Sequence, residues 1–268
     1  MSGPRLAVLG AGRMGQAIMS GLLSSGWVPE RIVAAEAHAP TADLVRERLG
    51  ISVAPGPEAV EDADAVLVAV KPHHVAGVLD EVADRLRPGV TVVCIAAGVT
   101  TATVAAHVPE GTAIVRVMPN TPALVGQGMS ALSPMPGCPR ESVELARSIL
   151  ASVGAVAEVP ESLQDAVTAL SGSGPAYVFH LAESMIDAGV LLGLPRPLAH
   201  TLTVQTLVGA ATMLRDSGEH PAVLRENVTS PGGTTAAALH VLEDAAVRAA
   251  MANAMRAARD RSAELGSD

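Results

Sequence analysis

A short apolar strand that runs directly into a glycine-rich turn constrains the fold of this 268-residue chain more than any other feature. Residues 6–15 read LAVLGAGRMG, which fits the pattern GxGxxG. In such a turn Gly10 permits the tight bend, Gly12 lets the backbone approach a pyrophosphate, and Gly15 lets the next helix pack close to the strand. Free N–H groups at the start of that helix favour an anion. The segment therefore predicts a Rossmann fold that binds a dinucleotide.

Apolar runs and helical patterns alternate through the first half of the chain. The predicted strands lie at residues 5–9, 31–35, 51–53, 65–70, 90–95, 113–117, 127–133 and 154–159, and helices near 41–49, 73–86, 100–107 and 141–151 lie between them. Nearly continuous apolar strands between helices predict a parallel sheet that is covered on both faces. After about residue 161 the predicted elements are all helices, at 163–170, 175–192, 197–217, 221–226, 234–242 and 245–265. We therefore predict an α/β fold in which a Rossmann domain (residues 1–160) precedes an all-α domain (residues 161–268).

Charge and composition limit the partners that the chain can bind. The formal net charge is −9 and no basic run or stripe is present, so nucleic acids and anionic membrane surfaces are poor partners. No segment has the pattern of a signal peptide or a membrane helix, and we expect a cytoplasmic protein. Cys94 and Cys138 lack CxxC or zinc-type spacing, which predicts two reduced thiols and no metal site. The helical half has long Ala- and Leu-rich faces and no sheet to cover them, so we predict a homo-oligomer formed through it.

The acidic residue Glu36 ends the second predicted strand. An acid at this position of a Rossmann fold normally binds the ribose hydroxyls and repels a 2′-phosphate. Glu36 therefore favours NADH over NADPH as the cofactor. The alternative is an exposed glutamate at a strand end, with Arg46 or Arg48 offering the compensating charge.

Three later strands end in small or polar residues, in the segments AVKPHH (69–74), CIAAGV (94–99) and MPNTP (118–122). Open α/β sheets bind ligands at the carboxyl ends of their strands, so these tips are expected to line one cleft. Lys71 would stand near the ribose or phosphates, Pro72 would start a helix, and Asn120 would offer its amide to the cleft. The adjacent His73 and His74 do not predict a metal site, because neighbouring side chains on a helix diverge. Each tip could also be an ordinary loop.

Two segments of the second half are too rich in glycine to be plain helix. They are LSGSGPAY (170–177) and ENVTSPGGTT (226–235). The second ends at a helix start, where free N–H groups form an anion site that a substrate carboxylate would fit. The alternative for each segment is a kinked helix junction.

The motifs GAGRMGQA, AVKPHH, AAGVT, MPNTP, LSGSGPAY and NVTSPGGTTAAALHVLE occur in this order along nearly the whole chain. In this the chain resembles pyrroline-5-carboxylate reductases. The resemblance implies a Rossmann domain followed by a helical domain for dimerisation and substrate binding, in dimers that can assemble further into rings. It also implies hydride transfer from NAD(P)H to the C=N bond of 1-pyrroline-5-carboxylate, which gives L-proline.

The resemblance and the residue patterns together assign roles to two sets of residues. The cofactor would be held by Gly10, Gly12, Arg13, Met14, Gly15, Glu36, Ala69, Val70, Lys71, Pro72, Ala97 and Gly98. The substrate would be held by Asn120, Ser230, Gly232, Gly233, Thr234 and Thr235. The Thr235 hydroxyl would reach the ring nitrogen, which makes Thr235 the candidate catalytic residue.

Two positions depart from the family's pattern. The family often has an Asn, close to the adenosine ribose, where this chain has Gly56, and NADPH-preferring members tend to have a small hydroxyl or a basic residue where it has Glu36. Both departures bear on cofactor preference and not on the chemistry.

Other function classes remain open at this point. They are a reductase of another cyclic imine, and a catalytically silent NAD(P)-binding scaffold or redox sensor. A 3-hydroxyacid dehydrogenase is disfavoured, because such enzymes typically use a helical-domain Lys and the only lysine here is Lys71.

Overall fold

The structure is a computed structural model that describes residues 3–267. The described chain forms two compact units. The first unit extends through Ser173 and includes the segment from Ala258 onward, and the second unit is Gly174–Ala257.

An eight-stranded sheet is the centre of the first unit. Its strands are β1 (Leu6–Leu9), β2 (Ile32–Ala35), β3 (Ser52–Val53), β4 (Ala65–Val68), β5 (Thr91–Cys94), β6 (Ala113–Met118), β7 (Gly128–Pro134) and β8 (Gly154–Glu158). Their order in the sheet is β3-β2-β1-β4-β5-β6-β7-β8. The strands from β3 to β6 in this order pair in parallel, which confirms the predicted Rossmann fold.

The last two strands, β7 and β8, run opposite to the rest of the sheet, which the sequence predicts to be parallel. Strand β7 runs antiparallel to β6, whereas β8 is parallel to β7. Parallel neighbours need a crossover connection of about a dozen residues or more. The connection between β6 and β7, residues 119–127, is too short for such a crossover, so the chain turns back on itself.

Helices and short helical turns connect the strands of the first unit. The α-helices are α1 (Arg13–Ser24), α2 (Ala39–Leu49), α3 (Gly56–Ala59), α4 (Val75–Val82), α5 (Thr101–Ala105), α6 (Arg140–Ala151) and α7 (Gln164–Val167). Tighter 3-10 turns occupy Pro29–Arg31, Pro72–His74, Ala83–Arg85, Thr121–Val125 and Glu161–Leu163. The helix predicted near residues 73–86 is therefore α-helical only in its central part.

The helix predicted at 163–170 contains a change of winding. After α7 the chain forms a π-helical turn over Thr168–Gly172, in which the Ser173 N–H donates to the carbonyl of Thr168 at 2.8 Å. Turns of this kind are rare and frequently occur at functional sites. Periodicity alone cannot reveal one, because it widens a helix by a single residue.

Two apolar clusters pack in the first unit, and the strands contribute to both. Leu6 and Val8 of β1 belong to one cluster, and Ala7 and Leu9 belong to the other. Alternate residues of a strand point to opposite faces, so each cluster covers one face of the sheet. All four side chains are fully buried or nearly so, which is why this strand has no polar residue.

Residues 161–173 pack with the sheet, although the sequence places the domain boundary near residue 160. The Gln164 side chain is buried, and its amide donates to the carbonyl of Ala131 at 3.1 Å and to the Ser133 hydroxyl at 2.7 Å. Further along, the Ser262 hydroxyl donates to Asp165 at 2.7 Å. These bonds attach α7, and with it the end of the last helix, to strand β7.

The second unit is helical, as the sequence predicts. Its helices are α8 (Gly174–Leu191), α9 (Arg196–Ser217), α10 (Pro221–Asn227) and α11 (Thr234–Asp244), followed by the first part of α12 (Val247–Ser267). Within residues 174–257 only Ala199 and Thr203 are buried. Across the described chain, no helix is long and apolar enough to cross a membrane.

Large apolar side chains are exposed along α8 and α9. They are Val178, Phe179, Leu181, Met185, Leu191, Leu198, Leu202, Val204, Val208, Met213 and Leu214. Contiguous exposed apolar surface of this kind marks an interaction site. The exposed apolar side chains of α8 and α9 therefore agree with the predicted association of the chain through its helical half.

Replacing Phe179 by Glu should weaken this association, because the side chain is 67% exposed in the single chain and a charge would be buried at an interface. We expect light scattering after size exclusion to give a mass that is a multiple of one chain for the unmodified protein, and a lower mass for Phe179→Glu. Ser148→Glu adds the same charge to the exposed surface of α6 and should leave the mass unchanged. A monomeric mass for the unmodified protein would contradict the expectation.

Candidate active site

The carboxyl ends of the parallel strands meet at one edge of the first unit. The sheet order places β2 on one side of β1 and β4 on the other, so the direction of strand addition reverses at β1. Open α/β sheets bind their ligands outside the carboxyl ends of the strands at such a reversal. The turns that follow β1, β2, β4 and β5 all lie at this edge, and they carry every residue that the sequence assigns to the cofactor.

Two of the three glycines in the turn after β1, Gly10 and Gly15, leave no space for a side chain. Gly10 has a φ of +95°, and a Cβ there would lie 2.8 Å from Val70 and 3.0 Å from the backbone of Ala69. A Cβ on Gly15 would lie 2.5 Å from the Gly10 carbonyl oxygen. Helix α1 begins directly after Gly12, which makes no side-chain capping bond. The first N–H groups of α1 are therefore available to an anion, and the turn fits a pyrophosphate.

The Glu36 carboxylate connects the end of β2 to the glycine turn. One of its oxygens accepts the N–H of Ala11 at 2.9 Å, and the other accepts the N–H of His38 at 2.8 Å. The Gln16 amide donates to the Ala11 carbonyl at 2.7 Å and holds the same turn from the other side. Each carboxylate oxygen keeps acceptor capacity beyond these bonds, so the group can still receive ribose hydroxyls.

The turn after β4 carries Ala69, Val70, Lys71 and Pro72. Lys71 is exposed and precedes the 3-10 turn that Pro72 begins, so its ammonium group is free to reach an anion at this edge. The rings of His73 and His74 lie against each other with centroids 4.2 Å apart. Within residues 3–267 no group of three potential metal ligands comes together.

The turn after β5 contains Ala97, which is exposed, and Gly98, whose φ is +79°. Cys94 ends the strand below it and is buried. Burial raises the pKa of the Cys94 thiol to about 11, against smaller opposing effects of a backbone hydrogen bond and of Arg116. The thiol is therefore protonated near neutral pH, and the turn offers small apolar surface and no nucleophile.

The Asn120 amide is engaged at both ends. Its NH₂ donates to the carbonyl of Ser171 at 3.0 Å, and its oxygen accepts the N–H of Met129 at 2.8 Å. A Cβ on Gly172 would lie 2.6 Å from the Met118 methyl group. The MPNTP and LSGSG motifs, far apart in the sequence, are thus in contact, and Asn120 fixes the π-helical turn. The direct substrate contact expected of Asn120 stays a prediction.

The substrate loop predicted from the sequence lies in the second unit, before α11. Gly232 has a φ of +68°, and the Gly233 N–H donates to the Ser230 carbonyl at 3.0 Å. A Cβ on Gly233 would collide with the Ser230 hydroxyl. Gly233 is also the N-cap of α11 and makes no side-chain capping bond. The N–H groups of Thr234 and Thr235 therefore begin the helix without an intrahelical partner, as an anion site requires.

Comparison with known proteins gives the same assignment along the whole chain. Residues 161–265 match the family described as pyrroline-5-carboxylate reductase dimerisation, and residues 5–98 match the family described as NADP oxidoreductase coenzyme F420-dependent. The pyrroline-5-carboxylate reductase of Methanosarcina acetivorans is 42% identical over 99% of this chain and 99% of its own length. The chain belongs to the pyrroline-5-carboxylate reductase family. The predicted resemblance is confirmed.

Solved structures of the reductase family share the fold. A pyrroline-5-carboxylate reductase from Coxiella burnetii has a TM-score of 0.94 and 36% identity, with 98% of each chain covered. The pyrroline carboxylate reductase of Plasmodium falciparum, solved with NADP bound, has a TM-score of 0.87 and 30% identity, with 99% of each chain covered. The predicted fold class, a Rossmann domain joined to a helical dimerisation domain, is therefore confirmed for this member of the family.

One group at this edge was missed by the sequence analysis. The carboxylate of Glu161 accepts hydrogen bonds from Thr101 and from Arg116, which is only 8% exposed. A sequence signal exists, because Arg116 interrupts the apolar strand AIVRVM and a buried charge requires a partner. The partner could not be identified, since Glu161 lies 45 residues further along the chain.

Substitution of Asn120 should test its structural contribution. Asn120→Ala leaves the Met129 N–H and the Ser171 carbonyl without their partner, which should lower the free energy of unfolding by about 1–3 kcal/mol in urea melts. Asn120→Asp keeps the acceptor for Met129 but loses the donor to Ser171. An unchanged midpoint for Asn120→Ala would contradict the positioning role.

Proposed function

We propose that this chain reduces the C=N bond of 1-pyrroline-5-carboxylate to give L-proline, with NADH or NADPH as the reductant. The proposal is carried by its 42% identity to a pyrroline-5-carboxylate reductase over 99% of its length, which includes every motif segment named above. The bound cofactor would supply a hydride to the imine carbon, and the ring nitrogen would take up one proton. The protein's part is to bind, orient and protect the two reactants.

The cofactor would lie along the carboxyl edge of the sheet. The glycine turn and the start of α1, with Arg13 and Met14, would hold the pyrophosphate, and Glu36 would receive the ribose hydroxyls. The nicotinamide half would rest on the two turns that follow β4 and β5. The support for this placement is the close approach of Gly10 to Ala69 and Val70, which brings the turn after β1 against the turn after β4.

The substrate carboxylate would bind at the start of α11. Free N–H groups and the helix dipole favour an anion there, and Ser230, Gly232, Gly233 and Thr234 shape the loop around it. The Thr235 hydroxyl, in the first turn of α11, would reach the ring nitrogen. None of the motif segments places a His, Asp or Glu as an evident general acid. The substrate would therefore bind already protonated, or receive its proton through Thr235 and water, and orientation would account for most of the catalysis.

The wider organisation follows the same proposal. Residues 1–160 would act as the cofactor domain, and residues 161–268 would act in dimerisation and substrate binding. The match to the dimerisation family supports association with a second copy of the chain. We further propose that such dimers assemble into rings and that the protein works in the cytoplasm.

Removing the Thr235 hydroxyl should separate chemistry from cofactor binding. We expect Thr235→Ala to lower kcat by more than about tenfold, because the ring nitrogen loses its hydrogen-bond partner. The dissociation constant of NADH should stay within about twofold, since the cofactor residues lie in the other unit. Thr235→Ser keeps the hydroxyl and should retain most of the turnover. Wild-type kcat in Thr235→Ala would remove Thr235 from the mechanism.

Cofactor preference should depend on the charge of Glu36. In turnover assays with 1-pyrroline-5-carboxylate we expect a higher kcat/KM with NADH than with NADPH, because the Glu36 carboxylate repels a 2′-phosphate. Glu36→Gln keeps an acceptor for the Ala11 N–H but removes the charge. It should raise the ratio of kcat/KM with NADPH to kcat/KM with NADH by about tenfold.

The control for this substitution is Glu47→Gln, which removes one negative charge from an exposed position of α2. Its ratio of kcat/KM with NADPH to kcat/KM with NADH should match that of the unmodified protein. An unchanged ratio in Glu36→Gln would contradict the role of Glu36. Folded protein that binds either cofactor without reducing this substrate would overturn the proposed reaction, and would favour another cyclic imine or a silent binding scaffold.

A further inference from the structure

The turn after β5 is attached to a distant part of the chain at its carboxyl end. Residues 95–100 lead from β5 to Thr101, the first residue of α5. The Thr101 N–H donates to one oxygen of Glu161 at 2.8 Å, and the Thr101 hydroxyl donates to the other oxygen at 2.6 Å. Thr101 is 4% exposed, so both donors of these bonds are shielded from solvent. The Glu161 carboxylate therefore fixes the position at which the turn ends.

The same carboxylate also binds a buried cation. The Arg116 guanidinium, on β6, donates to a Glu161 oxygen at 3.2 Å. Burial acts to raise the pKa of Glu161, but the hydrogen bonds from Thr101 and Arg116 outweigh it and hold the pKa below its usual value. The group is therefore ionised at neutral pH. A buried arginine with a single anionic partner holds that partner firmly, because separating them would leave an uncompensated charge.

The segment that carries Glu161 also supports the turn from a second side. Asp165 accepts the hydroxyl of Ser262, which is buried near the end of α12. Beyond Ser262 the helix reaches Gly98, where an added Cβ would lie 3.3 Å from the Leu265 carbonyl oxygen. A Cβ on Gly266 would lie 3.1 Å from the Gly98 carbonyl oxygen. The backbone of the turn thus packs directly against the backbone at the end of α12.

The supporting segment is itself anchored to the sheet. Gln164, between Glu161 and Asp165, is buried and bonds to the backbone and a side chain of β7. The turn after β5 therefore lies between Thr101, which Glu161 holds, and the end of α12, which is attached to α7. A loop held in this way keeps one backbone arrangement before a ligand arrives, which lowers the entropy cost of binding.

We infer that Glu161 is a positioning residue, which, with Arg116 behind it, holds Ala97 and Gly98 in the arrangement that receives the nicotinamide half of the cofactor. The inference rests on the proposed function, because only there do Ala97 and Gly98 contact the nicotinamide. Glu161 itself touches neither reactant. It acts through Thr101, and we expect its effect at one end of the cofactor, because among residues 3–267 its hydrogen bonds and ion pair go to Thr101 and Arg116 and not to the glycine turn or Glu36.

Calorimetric titration with two probes distinguishes this role from general support of the domain. NADH carries the nicotinamide, whereas ADP-ribose has the same adenosine and pyrophosphate groups without it. Thr101→Val keeps the side-chain shape and removes the hydroxyl, and should weaken NADH binding about threefold with ADP-ribose binding unchanged. Thr101→Ser keeps the hydroxyl and should restore NADH affinity.

Glu161→Gln removes the charge and should weaken NADH binding by about tenfold, again without affecting ADP-ribose. Glu144→Gln breaks an exposed ion pair with Arg140 on α6 and should change neither affinity. If Glu161→Gln does not fold, because Arg116 loses its partner, the two Thr101 variants still decide the question.

Three outcomes would overturn the inference. They are unchanged NADH affinity in the folded variants, equal weakening of both probes, and NADH that binds the unmodified protein no more tightly than ADP-ribose. Titration needs no substrate. Failure to reduce 1-pyrroline-5-carboxylate would therefore overturn the proposed reaction alone.

Discussion

No side chain can stand between Gly10 and the end of strand β4, because the space there is filled by Ala69 and Val70. This contact brings the turn after β1 against the turn after β4, at the point where the order of the strands reverses. Gly15 makes the second close approach and sets α1 against the turn. A Rossmann site depends on these approaches, because the backbone N–H groups of the turn must themselves reach the ligand. The other cofactor residues are arranged around this fixed centre.

The chain is acidic and its cofactor is an anion, so the groups that favour binding must lie close to the cofactor. The net charge of −9 opposes such binding at a distance, although salt screens the effect beyond about 10 Å. At short range, backbone N–H groups at the start of α1 would favour the proposed cofactor, and those at the start of α11 the proposed substrate carboxylate. The Glu36 carboxylate is partly compensated by two N–H groups, so it can act on the ribose without a basic partner. Fixed backbone dipoles thus add to the few basic side chains at this edge, Arg13 and Lys71.

The sequence predicts most of the fold and the location of the candidate site, because both depend on local patterns. Apolar runs locate all eight strands, and the glycine turn and strand tips lie at one edge as expected. Three features escaped: the antiparallel β7, the π-helical turn over Thr168–Gly172 and the Glu161 contacts. The antiparallel direction of β7 follows from the short connection between β6 and β7, and a pattern of apolar runs does not reveal the direction of a strand. The other two depend on residues far apart in the chain, and no local pattern encodes which distant partner a polar group selects.

The second unit has almost no core of its own, and this affects how the protein must fold. Two buried residues, Ala199 and Thr203, cannot supply the apolar burial that offsets the entropy of ordering helices α8 to α11 and the first part of α12. The missing burial must come from whatever covers the exposed faces of α8 and α9, and the match to the dimerisation family supports a second copy of the chain in that place. Folding and association are then one equilibrium, in which stability increases with the concentration of the chain. Dilution would loosen the helices and the loop before α11 with them, while the sheet would remain folded.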